Sequence, residues 1–392
     1  MESRTHPGPG REPGTGPGVD PGALERTAAQ VQALVDRLAP DHTLPRKPAE
    51  GTLWHDLGEA VRAAYLKRAQ ESGSRSGRAL VMAGPPGAGK SRVVQTARQA
   101  LDPSSHQRLG VDETGMTTVD ADDVKQLLLG TPVTGLEVDP HLLGRARAHW
   151  QALLADHAPG VLADGQPVNR GALATLVHPM STTTADTVRQ ALLKERFDVK
   201  IEGTLQWMPT PTTGQGPTLV RELKAARYTQ VTVVVADTDQ ATCLEGARTR
   251  WEQARTQADP AARYTPPEAV TSTFTTDGTG TTVSRPVTNA RATHELATQI
   301  DQFAGVDLLV VSRRAGRAPT VEHTDRHGRT RHHVPDAHER ARTQQAPTRS
   351  DPAAPAPAGA RQTLDKIRSL AAARTQDPRP RTNPHPTHHH TR

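Results

Sequence analysis

Residues 84–91 read Gly84-Pro85-Pro86-Gly87-Ala88-Gly89-Lys90-Ser91, the complete G-x-x-x-x-G-K-[ST] pattern. Ala79-Leu80-Val81-Met82 leads in as an apolar strand, and Val93, Val94, Ala97 and Leu101 lead out in a helix-compatible run. Strand, glycine loop and helix in this order give the pattern a mechanism. Glycines let the backbone curl until its N–H groups face inward as an anion nest, and the helix adds the positive end of its dipole. The loop from Gly84 through Pro85, Pro86, Gly87, Ala88 and Gly89 would wrap the phosphates of a nucleoside triphosphate. Lys90 would reach the outer phosphates and Ser91 would bind Mg²⁺. A Gly/Pro-rich surface turn matching by chance is the competing reading, and the flanking strand and helix argue against it.

Outward from the loop, strands and helices alternate. Asp20-Pro21 starts a first helix carrying Leu24, Val31, Leu34, Val35 and Leu38, and a Pro-containing linker covers 39–51. A second helix puts Leu53, Leu57, Val61 and Ala64 on one face. Beyond the loop, a strand ends at Val119, and Asp139-Pro140 opens a helix with Leu142, Leu143, Ala146 and Trp150. Helices follow near 182–196, 218–226, 238–256 and 288–303. Strands are expected at 198–201, at Val231–Val235 and, last, at Asp307–Val311. This alternation predicts an α/β fold, a phosphate-loop NTPase-type parallel sheet with helices on both faces. The expected divisions are a disordered segment 1–20, a helical extension 21–77, a phosphate-loop domain 78–316 and a disordered basic His/Pro-rich tail 317–392.

The chain has 392 residues, 34% apolar and 3% aromatic, too little for all of it to pack into a core. The net charge is +6, but residues 317–392 alone carry +7, leaving −1 elsewhere. A nucleic-acid groove on the folded part is therefore disfavoured. Nine of the 18 histidines lie in that tail, His385, His388, His389 and His390 among them, and an incidental polar tail is preferred to a metal site. The single cysteine, Cys243, excludes an intramolecular disulfide and multi-thiolate metal sites. With no signal-peptide pattern and no stretch of 18 apolar residues, a cytoplasmic protein without a membrane span is expected.

Phosphoryl transfer to an acceptor needs a base near the acceptor hydroxyl, a Mg²⁺ ligand and positive charge around the transferring group. Val119-Asp120-Ala121-Asp122-Asp123-Val124-Lys125 follows a strand, at the end where open α/β sheets hold ligands. Its acids read equally as base or metal ligand and as an N-cap with an acidic first turn. Ile201-Glu202-Gly203-Thr204 ends another strand. Arg250 and Arg263, on and just past a helix, are either solvated charge or phosphate clamps.

In order and spacing, these motifs resemble the zeta toxins, phosphate-loop kinases that phosphorylate UDP-N-acetylglucosamine. The resemblance spans about residues 78–315. It rests on Gly84–Ser91, on 119–125, on 201–204, on Thr249-Arg250-Trp251-Glu252 and on Ala262-Arg263-Tyr264-Thr265-Pro266. It implies ATP and Mg²⁺ at Lys90 and Ser91, and Asp122 as general base on the sugar 3′-hydroxyl. Asp120, Asp186, Glu202 and Thr204 would line the acceptor pocket, and Arg250 and Arg263 would contact phosphates. It also implies a small helical antitoxin as partner. The chain departs from the family in extra residues at 103–116, a longer 126–177 stretch, and Asp186 where a Glu can stand. Other readings are a kinase for a drug or nucleotide, and a regulatory ATPase with Asp237 ending a Walker-B strand. For Asp237 the N-cap of the next helix is preferred.

Overall fold

Residues 21–314 and 316–335 are described by a computed structural model of the chain. Two helices come first, α1 (Pro21–His42) and α2 (Leu53–Ser72), and then β1 (Arg78–Ala83). Thr52 caps α2 by accepting the His55 amide, which satisfies one of the donors left open at a helix start. The chain continues through α3 (Lys90–Ala100), α4 (Pro103–Leu109), β2 (Thr117–Val119), α5 (Ala121–Leu128) and α6 (Pro140–His157). A 3₁₀ turn at Arg170–Leu173 leads into α7 (Ala174–Lys194), β3 (Val199–Ile201), α8 (Gln215–Ala225), β4 (Gln230–Thr238) and α9 (Gln240–Thr256). The last elements are α10 (Pro267–Thr271), the hairpin β5 (Phe274–Thr276) and β6 (Thr282–Ser284), α11 (Arg285–Thr298), β7 (Gly305–Arg313), β8 (Thr320–Thr324) and β9 (Thr330–His333).

The main sheet has seven strands in the order β2-β3-β1-β4-β7-β8-β9. The first five pair in parallel, as expected for strands separated by helices. Alternate residues of β1 enter different cores: Ala79, Val81 and Ala83 join one, Leu80 and Met82 the other. The first core takes α1, α2, α5, α6, α7, α8 and α11. The second takes α3, α4, α9 and α10. A strand buried on both faces reads as a continuous apolar run, which is why Val231–Val235 was plain in the sequence.

The structure revises the expected boundaries. The sheet does not end at 311. β8 and β9 add an antiparallel hairpin to β7, with Val310 opposite Glu322, so ordered structure runs past 316. The polar, histidine-rich sequence hid these strands, because only Val321 turns a fully buried apolar side chain inward. Nor is 21–77 a separate layer: Leu57, Val61 and Tyr65 are fully buried within the core that covers the sheet. The expected segment 1–20 and the histidines from His338 onward lie outside the described residues. No helix among the described residues is long and apolar enough to cross a membrane.

Candidate active site

All the singled-out motifs but one arrive at the carboxyl edge of the parallel strands. From central β1 the chain passes outward to β2, returns through β3, and then crosses to β4 on the other side. Such a reversal opens a crevice above the strand ends.

The phosphate loop leaves β1 at Ala83. Gly87 (φ 78°) and Gly89 (φ 74°) hold left-handed backbone, which L side chains resist. A Cβ on Gly87 would also collide with the Cys243 carbonyl on α9, so the loop is seated directly on that helix. Lys90 begins α3, and its ammonium donates to the carbonyls of Gly84 (3.1 Å) and Pro85 (3.4 Å). Burial pulls this ammonium below its usual pKa, while Glu202, Asp122 and Asp120 pull the other way. Ser91 is exposed at the start of the same helix.

Asp120 closes β2 and caps α5, accepting the Asp122 amide at 2.8 Å. The competing cap reading of this motif is therefore realised, by Asp120. Asp122, in the first turn, is free to face the crevice. Its carboxylate receives Lys125 at 3.0 Å and Arg263 at 2.9 Å. The two acids diverge. Burial, then the neighbouring Asp122, pushes Asp120 up to about 6. For Asp122 burial also raises the pKa, but Lys125, Arg263 and Lys90 outweigh it and hold the group well below the carboxylate range.

Glu202, just past β3, is paired with Lys200 at 3.1 Å, and Lys200 also bridges to Glu113 at 2.5 Å. Thr204 accepts the Gly84 amide through its carbonyl (3.3 Å), tying this turn to the phosphate loop. Arg250 sits on α9 within electrostatic reach of Arg263, Asp122 and Asp120. The structure thus gathers Lys90, Asp120, Asp122, Glu202, Thr204, Arg250 and Arg263 around the phosphate loop and the strand ends beside it.

Asp186 is placed elsewhere. It lies on α7, paired with Arg189 at 2.6 Å, and Arg189 reaches Glu222 on α8. The α7 residue near Asp122 is His178, whose imidazole is lowered by burial and Lys125 and raised by Asp122. Asp186 stands about 12 Å farther along the helix axis. Asp237 does not cap α9 either. Pairing with β7 carries β4 on to Thr238, and Asp239 takes the cap by accepting the Thr242 amide. Asp237 instead receives Ser312 at 2.8 Å and Arg314 at 2.8 Å.

Two contributors escaped the sequence reading. Arg313, at the end of β7, lays its guanidinium against Gly89 and approaches the Ala88 carbonyl at 3.5 Å. Tyr65 of α2 is fully buried near Asp120 and Asp123, whose charges add to burial in raising its phenol. Nothing in the local pattern around either residue announces this, since both meet the site only through the tertiary fold.

The donor set suits a magnesium nucleotide. The left-handed glycines form a cradle that a Cβ would fill, no side chain caps the start of α3, and Ser91 with the Asp120/Asp122 carboxylates offers hard oxygens. No protein-family model matches the chain, and no curated protein matches it. Among solved structures, it is similar to a chain from the PezAT chromosomal toxin–antitoxin system of the human pathogen Streptococcus pneumoniae. That match has a TM-score of 0.38 at 13% identity, over 68% of this chain and 79% of the other. It is also similar to a chain of the AvrRxo1-ORF1:AvrRxo1-ORF2 structure with sulphate ions. Here the TM-score is 0.41 at 12% identity, over 84% of this chain and 78% of the other.

Proposed function

We propose that the chain is an ATP-dependent kinase of the zeta-toxin type, which transfers the γ-phosphate to the 3′-hydroxyl of a UDP-N-acetyl amino sugar. The observation that carries this reading is the convergence of Asp122, Lys90, Arg250 and Arg263 on one crevice beside the phosphate loop. A pure nucleotide switch needs no acceptor-side carboxylate flanked by arginines. Phosphoryl transfer does.

In this mechanism Lys90 and the loop amides hold the β- and γ-phosphates. Mg²⁺, held by Ser91 with help from a carboxylate of the Asp120 motif, would neutralise phosphate charge. Asp122 accepts the proton of the acceptor hydroxyl as that oxygen bonds to the γ-phosphorus. The bond from the γ-phosphorus to the bridging oxygen breaks, and ADP leaves. A carboxylate with so low a pKa is a weak base. It suffices because the hydroxyl turns acidic only as the new bond forms. Arg263, already on Asp122, and Arg250 beside it stabilise charge on the phosphoryl oxygens. Glu202 and Thr204 orient the acceptor. A small helical antitoxin is the partner this reading implies.

The test is phosphate transfer from ATP·Mg²⁺ to UDP-N-acetylglucosamine, followed at the sugar 3′-oxygen. Lys90→Ala and Asp122→Asn should each lower kcat by about 10²- to 10⁴-fold. Full activity in either variant removes the mechanism, and ATP turnover with another acceptor moves the substrate assignment.

A further inference from the structure

Three residues past Thr204 the chain presents an exposed indole. Trp207 is 58% exposed and is the only large aromatic left exposed among the described residues. Its position is built rather than incidental. Leu205 turns the chain in left-handed backbone (φ 52°), with its side chain buried. The carbonyl of Leu205 is held by the buried Asn289 amide at 2.6 Å. Gln215, opening α8, then clamps Trp207 from both sides: its side-chain oxygen accepts the Trp207 amide (3.2 Å), and its own amide donates to the Trp207 carbonyl (3.0 Å). None of these bonds uses the indole, so the ring is displayed on a fixed backbone.

Trp207 lines a cavity of about 350 Å³ together with Gln206, Met208, Arg285 and Asn289 among others. Arg285, at the start of α11, makes no side-chain hydrogen bond or ion pair with any described residue. The cavity thus offers a flat aromatic face, an amide for a base edge and a guanidinium for a phosphate. These are the elements by which proteins hold single nucleotides, stacking being tolerant of base identity and arginine supplying charge.

We infer that this cavity binds the heteroaromatic base of the nucleotide-linked acceptor. This rests on the proposed function for the identity of the acceptor. The reason for assigning the acceptor, and not ATP, is continuity. The cavity follows directly from the Glu202–Thr204 turn, and three residues reach at most about 11 Å. A sugar joined to a nucleoside through a diphosphate bridges that distance.

Uridine 5′-diphosphate and adenosine 5′-diphosphate serve as probes in calorimetric titrations of the full chain, with Trp207→Ala and Trp207→Phe beside it. The expected result is heat of uridine diphosphate binding that is lost in Trp207→Ala and retained in Trp207→Phe, where a flat aromatic face remains. In turnover, Trp207→Ala should raise the acceptor KM roughly 5- to 150-fold and leave the ATP KM unchanged. Arg285→Ala should raise the acceptor KM as well. Unchanged affinity for uridine diphosphate in Trp207→Ala overturns the inference. So does an effect confined to ATP and adenosine diphosphate, which would give the cavity to the donor base. Because the binding assay needs no turnover, Trp207-dependent binding of uridine diphosphate would stand even if no sugar were phosphorylated. Conversely, sugar phosphorylation indifferent to Trp207 would remove this inference alone.

Discussion

Asp120 and Asp122 lie two residues apart and titrate in opposite directions, which gives each a separate pH signature. Asp120 is raised to about 6 by burial and by Asp122, so the folded chain binds its proton more tightly than the unfolded chain does. Its contribution to stability is complete below about pH 4 and is lost as pH rises through about 6. Asp122 is depressed, so its contribution is present above about pH 4 and is lost only as pH falls through its low folded value. Asp120→Asn, which keeps a capping side chain, should remove the first effect. Denaturation at about pH 5 and pH 8 should show the wild type losing on the order of 1 kcal/mol more than the variant between them. Gly87→Ala should be more damaging. It forces a side chain into left-handed backbone and against the Cys243 carbonyl, and nucleotide binding should be lost with about 1–3 kcal/mol of stability. Arg313→Ala should raise the KM for ATP about tenfold while sparing the acceptor KM, since it strips charge from the loop only. At this scale the sequence was most informative for backbone chemistry. The glycine spacing and the Asp-x-Asp pattern are local, so the loop and the cap could be read directly. The pairing of Arg263 with Asp122 joins residues 141 positions apart and went unread, the motif resemblance having implied a phosphate contact for Arg263.

Among the elements, α2 changes meaning most. Its apolar face was legible from Leu57, Val61 and Ala64, but periodicity names a face and not the partner it meets. The partner is the site's own foundation: α2 packs on α5 and α7, and Tyr65 lies near the carboxylate motif. Leu57→Ala should therefore cost about 2–5 kcal/mol, and Thr52→Ala about 1 kcal/mol through loss of the cap. Thermal unfolding of the two variants checks the ranking. The short pieces were the least legible. β2 and β3, three residues each, were placed from the sequence, but α4, α10 and the β5–β6 hairpin went unread, because runs so short carry no period to count.

At the scale of the molecule, the outcome turns on where the sheet ends. The +7 of residues 317–392 and their proline and histidine content masked two strands that complete the sheet. Cutting after residue 316 removes the neighbour of β7 and bares a long apolar edge, so that protein should aggregate. Restoring residues 317–337 should return solubility and activity, readable by gel filtration and phosphotransfer. The seat of the phosphate loop has a practical corollary. Cys243 is fully buried under that loop, its thiol pushed up to about 12 by burial, and it is the sole cysteine of the chain. A thiol-specific reagent therefore meets it only in molecules that have opened. Pulsed labelling makes this one sulfur a clock for opening, and nucleotide, by clamping the loop above it, should slow that clock.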